Sequence, residues 1–181
     1  AGTLNMAHLS ERIAAIGQDG LLTTVSFLFL TVFGLKSGLF LFFWLPNSYS
    51  APPPAVAALF AALLTKGGIY AIIRTFTLIF YHEPRITHTV ILAMAALTML
   101  LGALGAVSNW GIKKILAYNV IVAVGFILFG VGMATFESFT GALFYLLHDM
   151  LAKALIYILG GAIISIFGSD RLRKFSGLLL Y

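Results

Sequence analysis

Residues 87–107 read THTVILAMAALTMLLGALGAV, a stretch without Asp, Glu, Lys or Arg. A helix of about 20 such residues crosses the roughly 30 Å of hydrocarbon in a bilayer. Further apolar stretches lie at 21–45, 52–81, 115–135 and 140–167, and the short breaks between them carry the Pro, Gly, Asn and Ser typical of turns. Because a backbone in lipid must satisfy its own hydrogen bonds, the pattern predicts an all-α integral membrane bundle of about five transmembrane helices.

The composition excludes several classes of protein. Of the 181 residues, 61% are hydrophobic and 9% are charged, and a soluble domain cannot bury that much apolar surface. The absence of cysteine excludes disulfides, thiolate metal sites and iron–sulfur clusters. No phosphate loop, dinucleotide fingerprint, metal-binding cluster or nucleophile motif is present, so the chain is predicted to have no cofactor and no enzymatic site of its own.

The net charge of +5 indicates membrane topology, and nucleic-acid binding is not expected. If the helices alternate in direction, most of the loop cations fall on one side, which the positive-inside rule makes cytoplasmic. These cations are Lys113, Lys114, Arg171, Arg173 and Lys174. The opposite side, with Arg12 and Arg85 among acidic residues, is predicted to be the outer one.

The chain divides into three predicted parts. Residues 1–20 form an outer-side loop with a short amphipathic helix, in which Asn5 is a candidate cap. Residues 21–167 form the transmembrane bundle, and 168–181 form a cytoplasmic loop and the start of the next helix. Since the chain begins without Met and stops inside a new apolar run, we expect it to be an internal piece of a longer protein.

Six ionisable residues lie in the apolar segments well away from the segment ends, where each charge costs at least about 2–3 kcal/mol without a partner or water. They are Lys36, Lys66, Arg74, His148, Asp149 and Lys153. At about 1.5 Å per residue, the depths of Lys36, Lys66 and Lys153 along their helices all fall near the bilayer midplane. The lysines are therefore predicted to form a row that runs sideways through the membrane.

A buried lysine can carry a proton, because a desolvated ammonium can lose its proton while a guanidinium stays charged. The alternative is that each lysine is held in an ion pair. Asp149 is the only carboxylate within the five apolar segments, so at most one lysine is expected to be firmly paired. Lys153, four residues farther along a helix, is its natural partner.

Glycines flank two of the lysines. Gly34 and Gly38 bracket Lys36 and predict a helix break there, which is a usual construction of ion sites in transporters. The glycines at 67–68 directly follow Lys66 and indicate either a second break or close packing between helices. Two hydroxyl side chains next to these lysines, Ser37 and Thr65, are predicted to hold water beside them.

The remaining polar residues are assigned supporting roles. Histidine is the side chain that can exchange a proton near physiological pH, so His148 is a candidate for passing a proton onward, the alternative being an interior histidine that donates to a neighbouring helix. Arg74 cannot release a proton, so we expect an electrostatic or structural role. Tyr70 lies four residues from both Lys66 and Arg74, and this spacing predicts that the three side chains share one face.

Two motifs carry a family resemblance. Residues 36–70 read KSGLFLFFWLPNSYSAPPPAVAALFAALLTKGGIY, and residues 148–161 read HDMLAKALIYILGG. In this order they resemble the antiporter-like subunits shared by Mrp-type sodium/proton antiporters and respiratory complex I, with the greatest similarity to the Mrp D-type subunits. The resemblance implies a subunit of about fourteen helices, with a broken helix at Lys36 of the kind found in transporters.

The resemblance also implies that Lys36, Lys66, His148 and Lys153 belong to a hydrophilic axis that conducts protons. The expected function is a proton-translocating subunit of a multisubunit sodium/proton antiporter in the bacterial cytoplasmic membrane, with other membrane subunits as partners and protons and sodium as the ions moved. The sodium path is expected elsewhere, since hard cations need several oxygen ligands. The alternatives are a proton-pumping subunit of complex I or a related membrane hydrogenase, and a lysine-lined anion channel.

Overall fold

The computed structural model describes residues 2–3, 5–16, 20–80 and 84–174, and in these ranges the chain forms helices joined by short turns. In chain order the helices are α1 (Met6–Ile16), α2 (Gly20–Ser37), α3 (Leu45–Ser50), α4 (Pro54–Leu59), α5 (Thr65–Leu78), α6 (Pro84–Val107), α7 (Ile112–Gly132) and α8 (Phe136–Phe167). A π-helical turn, Phe60–Leu64, joins α4 to α5, and a 3-10 turn, Leu172–Lys174, follows α8.

Within the described ranges, five helical stretches are long and apolar enough to cross a membrane. They are α2, the continuous rod Pro54–Leu78, most of α6, α7 and α8. The predicted all-α membrane bundle is therefore confirmed. The predicted first segment, 21–45, was wrong at its end, because the helix stops at Ser37. The predicted start of another helix falls at 175–181, which lies outside the described residues.

The first span breaks after Ser37, one residue beyond Lys36, as the flanking glycines predicted. Gly38 has φ +82°, a left-handed conformation that glycine adopts without strain, and it ends α2. The Gly34 carbonyl accepts hydrogen bonds from the amides of both Gly38 and Leu39, each at 2.9 Å. Thr98 on α6 accepts the amide of Phe40 at 2.8 Å, so the broken backbone keeps its hydrogen bonds at membrane depth.

The second glycine pair serves helix packing, because α5 runs through Gly67 and Gly68 without interruption. A Cβ atom on Gly68 would lie 2.7 Å from the Ser37 backbone nitrogen, so the absent side chain lets α5 approach the end of α2. The irregularity in this span lies just before Lys66, in the π-helical turn, which the sequence pattern did not predict.

The bundle is built around α7. More than half of its span is buried, 56%, compared with 22% for α2 and 17% for α8. α6 packs along one side of α7, while α3 and α8 pack on other sides, and α8 also contacts α4 and the π-helical turn. This arrangement brings the middle of α8 to the end of the π-helical turn, where Lys66 lies in the first turn of α5.

The predicted short helix in the first 20 residues is present as α1. The Asn5 side chain accepts the amide of Ala7 at 3.0 Å, which satisfies a free donor in the first turn. Ile13 is buried, and the Ser10 hydroxyl donates to the Leu78 carbonyl at 2.8 Å. α1 is thereby attached to the last turn of α5.

The close approach at Gly68 generates a stability prediction. Gly68→Ala should lower the melting temperature of the full-length protein, because the added methyl meets Ser37 backbone and overpacking of this kind costs about 1–3 kcal/mol. Gly67→Ala is the matched control, since the nearest atom to its new methyl, Cε of Lys36, is 4.0 Å away. Equal thermal shifts for the two variants, measured in detergent, would contradict the packing role of Gly68.

Candidate functional site

Three charged side chains from two helices meet in the interior of the bundle. Lys66 Nζ lies 2.7 Å from Asp149 Oδ2, and Lys153 Nζ lies 3.4 Å from Asp149 Oδ1. All three residues are at most 5% exposed. The carboxylate of Asp149 therefore contacts two ammonium groups at once, one through each oxygen, and we refer to these three residues as the lysine–aspartate cluster.

The π-helical turn positions Lys66 for this contact. A π-helical turn holds one more residue than an α-helical turn and so rotates the side chains that follow it. The Lys66 ammonium also donates to the backbone carbonyl of Ala61, inside that turn, at 2.8 Å. Lys66 is thus held between a backbone carbonyl of its own helix and the carboxylate of α8.

Lys153 has a second partner on α7. Its ammonium donates to Oδ1 of Asn119 at 2.8 Å, and Asn119 is exposed on the surface of the chain. Asn119 was not predicted from the sequence, because the candidates were ionisable residues and residues close to them along the chain. The signal that could have found it was a side-chain amide inside the apolar segment 115–135, since such polar groups in membrane helices are usually hydrogen-bonded to a neighbour.

The expectation that at most one lysine is firmly paired is corrected by this geometry. The predicted pair of Asp149 with Lys153 is present, but the shorter contact joins Asp149 to Lys66, from a different helix. With all three groups ionised the cluster carries one excess positive charge, and the loss of one lysine proton makes it neutral. The cluster can therefore gain and release a proton while one ion pair is kept.

Lys36 lies beside the cluster but outside it. The residue is exposed at the end of α2, and its side chain passes the position of Gly67, next to Lys66 in sequence. It makes no ion pair with any residue that the structure describes. Of the three lysines in the predicted row, Lys66 and Lys153 are brought together at Asp149, while Lys36 is exposed and lies outside the cluster.

His148 is also placed on an outer surface. It is adjacent to Asp149 in sequence, but its side chain is exposed, and its ring centroid lies 6.1 Å from that of Tyr145. Within the described ranges, His148 is not an enclosed histidine that donates to a neighbouring helix. A helix turns by about 100° per residue, so successive residues of α8 face in different directions, one inward and one outward.

The supporting residues fall into two groups. Ser37 and Thr65 are buried near the lysines, and the Ser37 hydroxyl donates to the Gly34 carbonyl at 3.2 Å. Tyr70 is 61% exposed and Arg74 is exposed, whereas Lys66 is buried. Each four-residue step turns the helix about 40° beyond a full turn, so the exposure of the side chains increases from Lys66 to Tyr70 and Arg74.

A tyrosine that the sequence reasoning did not single out extends the site along α8. Tyr157 lies one turn beyond Lys153 and is 4% exposed, and its hydroxyl has no hydrogen-bond partner among the described residues. With Tyr49 and Lys113 it lines a narrow pocket with a volume of about 10 Å³, which is room for about one water molecule. The pocket lies between the cluster and the end of the bundle where α7 begins.

No group of three or more His, Asp or Glu side chains with the geometry of a metal site occurs in the part of the chain that the structure describes. The chemistry available in the cluster is that of two amines and one carboxylate, which bind, release and exchange protons.

The sequence is similar to known membrane proteins over its whole length. Residues 1–181 match the family described as NADH:quinone oxidoreductase/Mrp antiporter, TM. The chain is 51% identical to the D-type Na(+)/H(+) antiporter subunit of Bacillus subtilis (strain 168) and 50% identical to that of Alkalihalophilus pseudofirmus. Each comparison covers 98% of this chain and 36% of the relative, so the chain spans about a third of the length of these curated relatives.

Two solved structures contain the same backbone arrangement. A chain of the Mrp complex from Dietzia sp. DQ12-45-1b matches with a TM-score of 0.89 and 35% identity, covering 98% of this chain and 33% of that chain. A chain of the membrane-bound sulfane sulfur reductase, an archaeal respiratory membrane complex, matches with a TM-score of 0.86 and 27% identity, covering 98% of this chain and 37% of that chain.

The shared carboxylate generates a second stability prediction. Asp149→Asn should lower the melting temperature of the full-length protein strongly, because removing one partner of a buried ion pair typically costs about 3–5 kcal/mol. Adding Lys66→Met to this variant should restore part of the loss, since one buried ammonium without a carboxylate is then removed.

Glu137→Gln is the control, because Glu137 is an exposed carboxylate in the first turn of the same helix. An Asp149→Asn variant that melts like the Glu137→Gln variant would show that the cluster contributes nothing to stability.

Proposed function

Because the chain belongs to the NADH:quinone oxidoreductase/Mrp antiporter family of membrane proteins, we propose that it forms part of a proton-translocating subunit of a multisubunit sodium/proton antiporter. Its place is the bacterial cytoplasmic membrane, and its partners are other membrane subunits of that complex. The observation that carries the proposal is the buried contact of Asp149 with both Lys66 and Lys153. The relatives at 51% and 50% identity, which are named as Na(+)/H(+) antiporter subunits of the D type, support it.

Protons move through the cluster by electrostatic coupling. A proton that arrives at Lys66 adds a positive charge beside Asp149, and the same carboxylate is then shared between two cations. Unit charges about 4 Å apart interact by about 4 kcal/mol in a partly polar protein interior, so protonation of one lysine favours release of a proton from the other. The carboxylate thus links the titration of two helices.

Lys36 and His148 extend the path in this proposal. Both are exposed on the surface of the described chain, Lys36 at the helix break and His148 beside the cluster. These surfaces are available to other parts of the longer protein, which would supply their partners. The proton path then runs through Lys36, Lys66 and Lys153, with His148 as a group that passes a proton onward.

Tyr157 and Asn119 are the added members of the path. The Asn119 amide fixes the Lys153 ammonium at 2.8 Å. Tyr157 lies one turn farther along α8 and, together with Lys113, lines the narrow pocket. A single water in that pocket would connect the cluster toward the end of the bundle that the positive-inside rule places in the cytoplasm. Residues 1–20 and 168–181 would then flank the bundle on its outer and cytoplasmic sides.

The alternatives have less support. A proton-pumping subunit of complex I shares the family, but the relatives at 51% and 50% identity carry the antiporter name. An anion channel requires lysines that are free to attract an anion, whereas Asp149 already contacts both buried lysines. Sodium binding by the cluster is disfavoured as well, because it offers a single carboxylate among two cations.

Sodium-dependent proton exchange in inverted vesicles that carry the full complex tests the proposal. Lys66→Arg keeps a positive charge beside Asp149 but cannot release a proton, so exchange should fall at least about tenfold while the complex still assembles. Lys36→Ala should also abolish exchange if the path continues through that residue.

Lys174→Arg is the matched control, because Lys174 is exposed in the turn after α8 and lies outside the bundle. Full exchange by assembled Lys66→Arg complex would mean that Lys66 supplies only charge, and the proposed proton path would have to be abandoned.

A further inference from the structure

We propose that a basic pocket at the end of the bundle where α7 begins binds the phosphate headgroup of an anionic phospholipid. The pocket has a volume of about 360 Å³ and is lined by cationic side chains from two separate segments, namely Lys114, Arg171 and Arg173. This volume is at the lower end of the range for small-molecule sites. The basic pocket lies at the end of the bundle, apart from the buried lysine–aspartate cluster.

The backbone holds the two segments together. Gly111, before α7, and Arg171, after α8, form an isolated antiparallel β-bridge. The amide of Ile112 donates to the Asp170 carbonyl at 2.8 Å, and the amide of Leu172 donates to the Trp110 carbonyl at 3.0 Å. The cations from the segment after α8 are therefore held against the first turn of α7, and the pocket is part of the ordered fold.

The side chains leave the pocket with an excess of positive charge. Lys114, Arg171 and Arg173 make no ion pair with any residue in the described ranges, while Asp170 contributes the one carboxylate at the pocket wall. The Asp170 carboxylate lies over Gly111, where a Cβ atom would be 3.2 Å from its Oδ2. The balance is three cations against one anion, so the free donors favour a ligand with anionic oxygens.

The position in the membrane favours a lipid over a dissolved anion. The pocket begins just beyond Val107 and Ile112, where two transmembrane spans end and start. Trp110 is 56% exposed at this level, and the Arg173 guanidinium stacks on its ring at 4.2 Å from the centroid. Tryptophan is enriched at the headgroup region, and basic pockets at the cytoplasmic ends of membrane helices bind anionic headgroups.

The acyl chains of such a lipid would meet apolar surface. Val107 is 86% exposed at the end of α6, and Ile166 is 67% exposed in the last turn of α8. By the positive-inside rule the pocket faces the cytoplasmic leaflet. The occupant is therefore a phospholipid of that leaflet with a net negative headgroup, and phosphatidylglycerol is a suitable probe.

The test titrates the delipidated full-length complex in detergent with phosphatidylglycerol and follows its melting temperature. Arg171→Gln should raise the lipid concentration for half of the thermal shift about fivefold, since a cation near an anionic lipid contributes about 1 kcal/mol. Asp170→Asn should lower that concentration by a similar factor, because it removes the repelling carboxylate. A gain in binding from Asp170→Asn is a result that a damaged fold would not give.

Arg85→Gln is the matched control, an exposed arginine at the opposite end of the bundle, and it should leave the titration unchanged. Phosphatidylcholine and inorganic phosphate are the comparison ligands and should give little shift at the same concentrations. The proposal is overturned if phosphatidylcholine or phosphate matches phosphatidylglycerol. It is also overturned if Arg171→Gln behaves like Arg85→Gln, or if Asp170→Asn leaves binding unchanged.

Discussion

Hydrocarbon does not solvate charge, so a charged side chain in the interior of this bundle needs a partner of opposite charge. A single carboxylate, that of Asp149, is the partner of two lysines. Asp149 gives one oxygen to Lys66 and the other to Lys153, at 2.7 and 3.4 Å, so that two buried ammonium groups are compensated by a single acid. The contact joins α8 to the rod that contains α5, and Asn119 attaches the same cluster to α7. A stoichiometry of two amines to one acid also makes the charge of the cluster depend on its proton content, which links its stability to its proposed function.

The backbone irregularities are arranged around this cluster. The π-helical turn Phe60–Leu64 turns Lys66 toward α8 and supplies the Ala61 carbonyl as an additional acceptor. The break at Gly38 ends α2 beside Lys36, and the backbone there is satisfied by neighbouring groups, including Thr98. In lipid, a regular helix satisfies all of its backbone hydrogen bonds internally, whereas an irregular turn needs other partners for some of them. Irregular turns next to charged side chains are a usual construction of ion sites in membrane transporters.

Local sequence predicted the helix break in this site but not the contacts between its helices. The break at Lys36 could be predicted, because the left-handed conformation at Gly38 is a property of one residue and its neighbours. The presence of glycine at 67–68 could not by itself distinguish a helix break from close helix packing. That distinction depends on how near α2 comes to Gly68, which is a property of the tertiary structure. The predicted partner of Asp149, Lys153, is present, but its second partner was not predicted. Spacing along one helix favours Lys153, whereas the shorter contact comes from Lys66 on another element.

Length and polarity along the chain determined by themselves that this protein is a bundle of membrane helices, because each span must be about 20 apolar residues long whatever its neighbours are. They also determined which residues carry charge at membrane depth. The tertiary structure alone decided which of those charges meet. Lys66 and Lys153 share Asp149, while Lys36 and His148 face outward, because helix rotation and packing set the direction of each side chain. Direction relative to another helix depends on contacts between distant parts of the chain, and no local spacing contains that information.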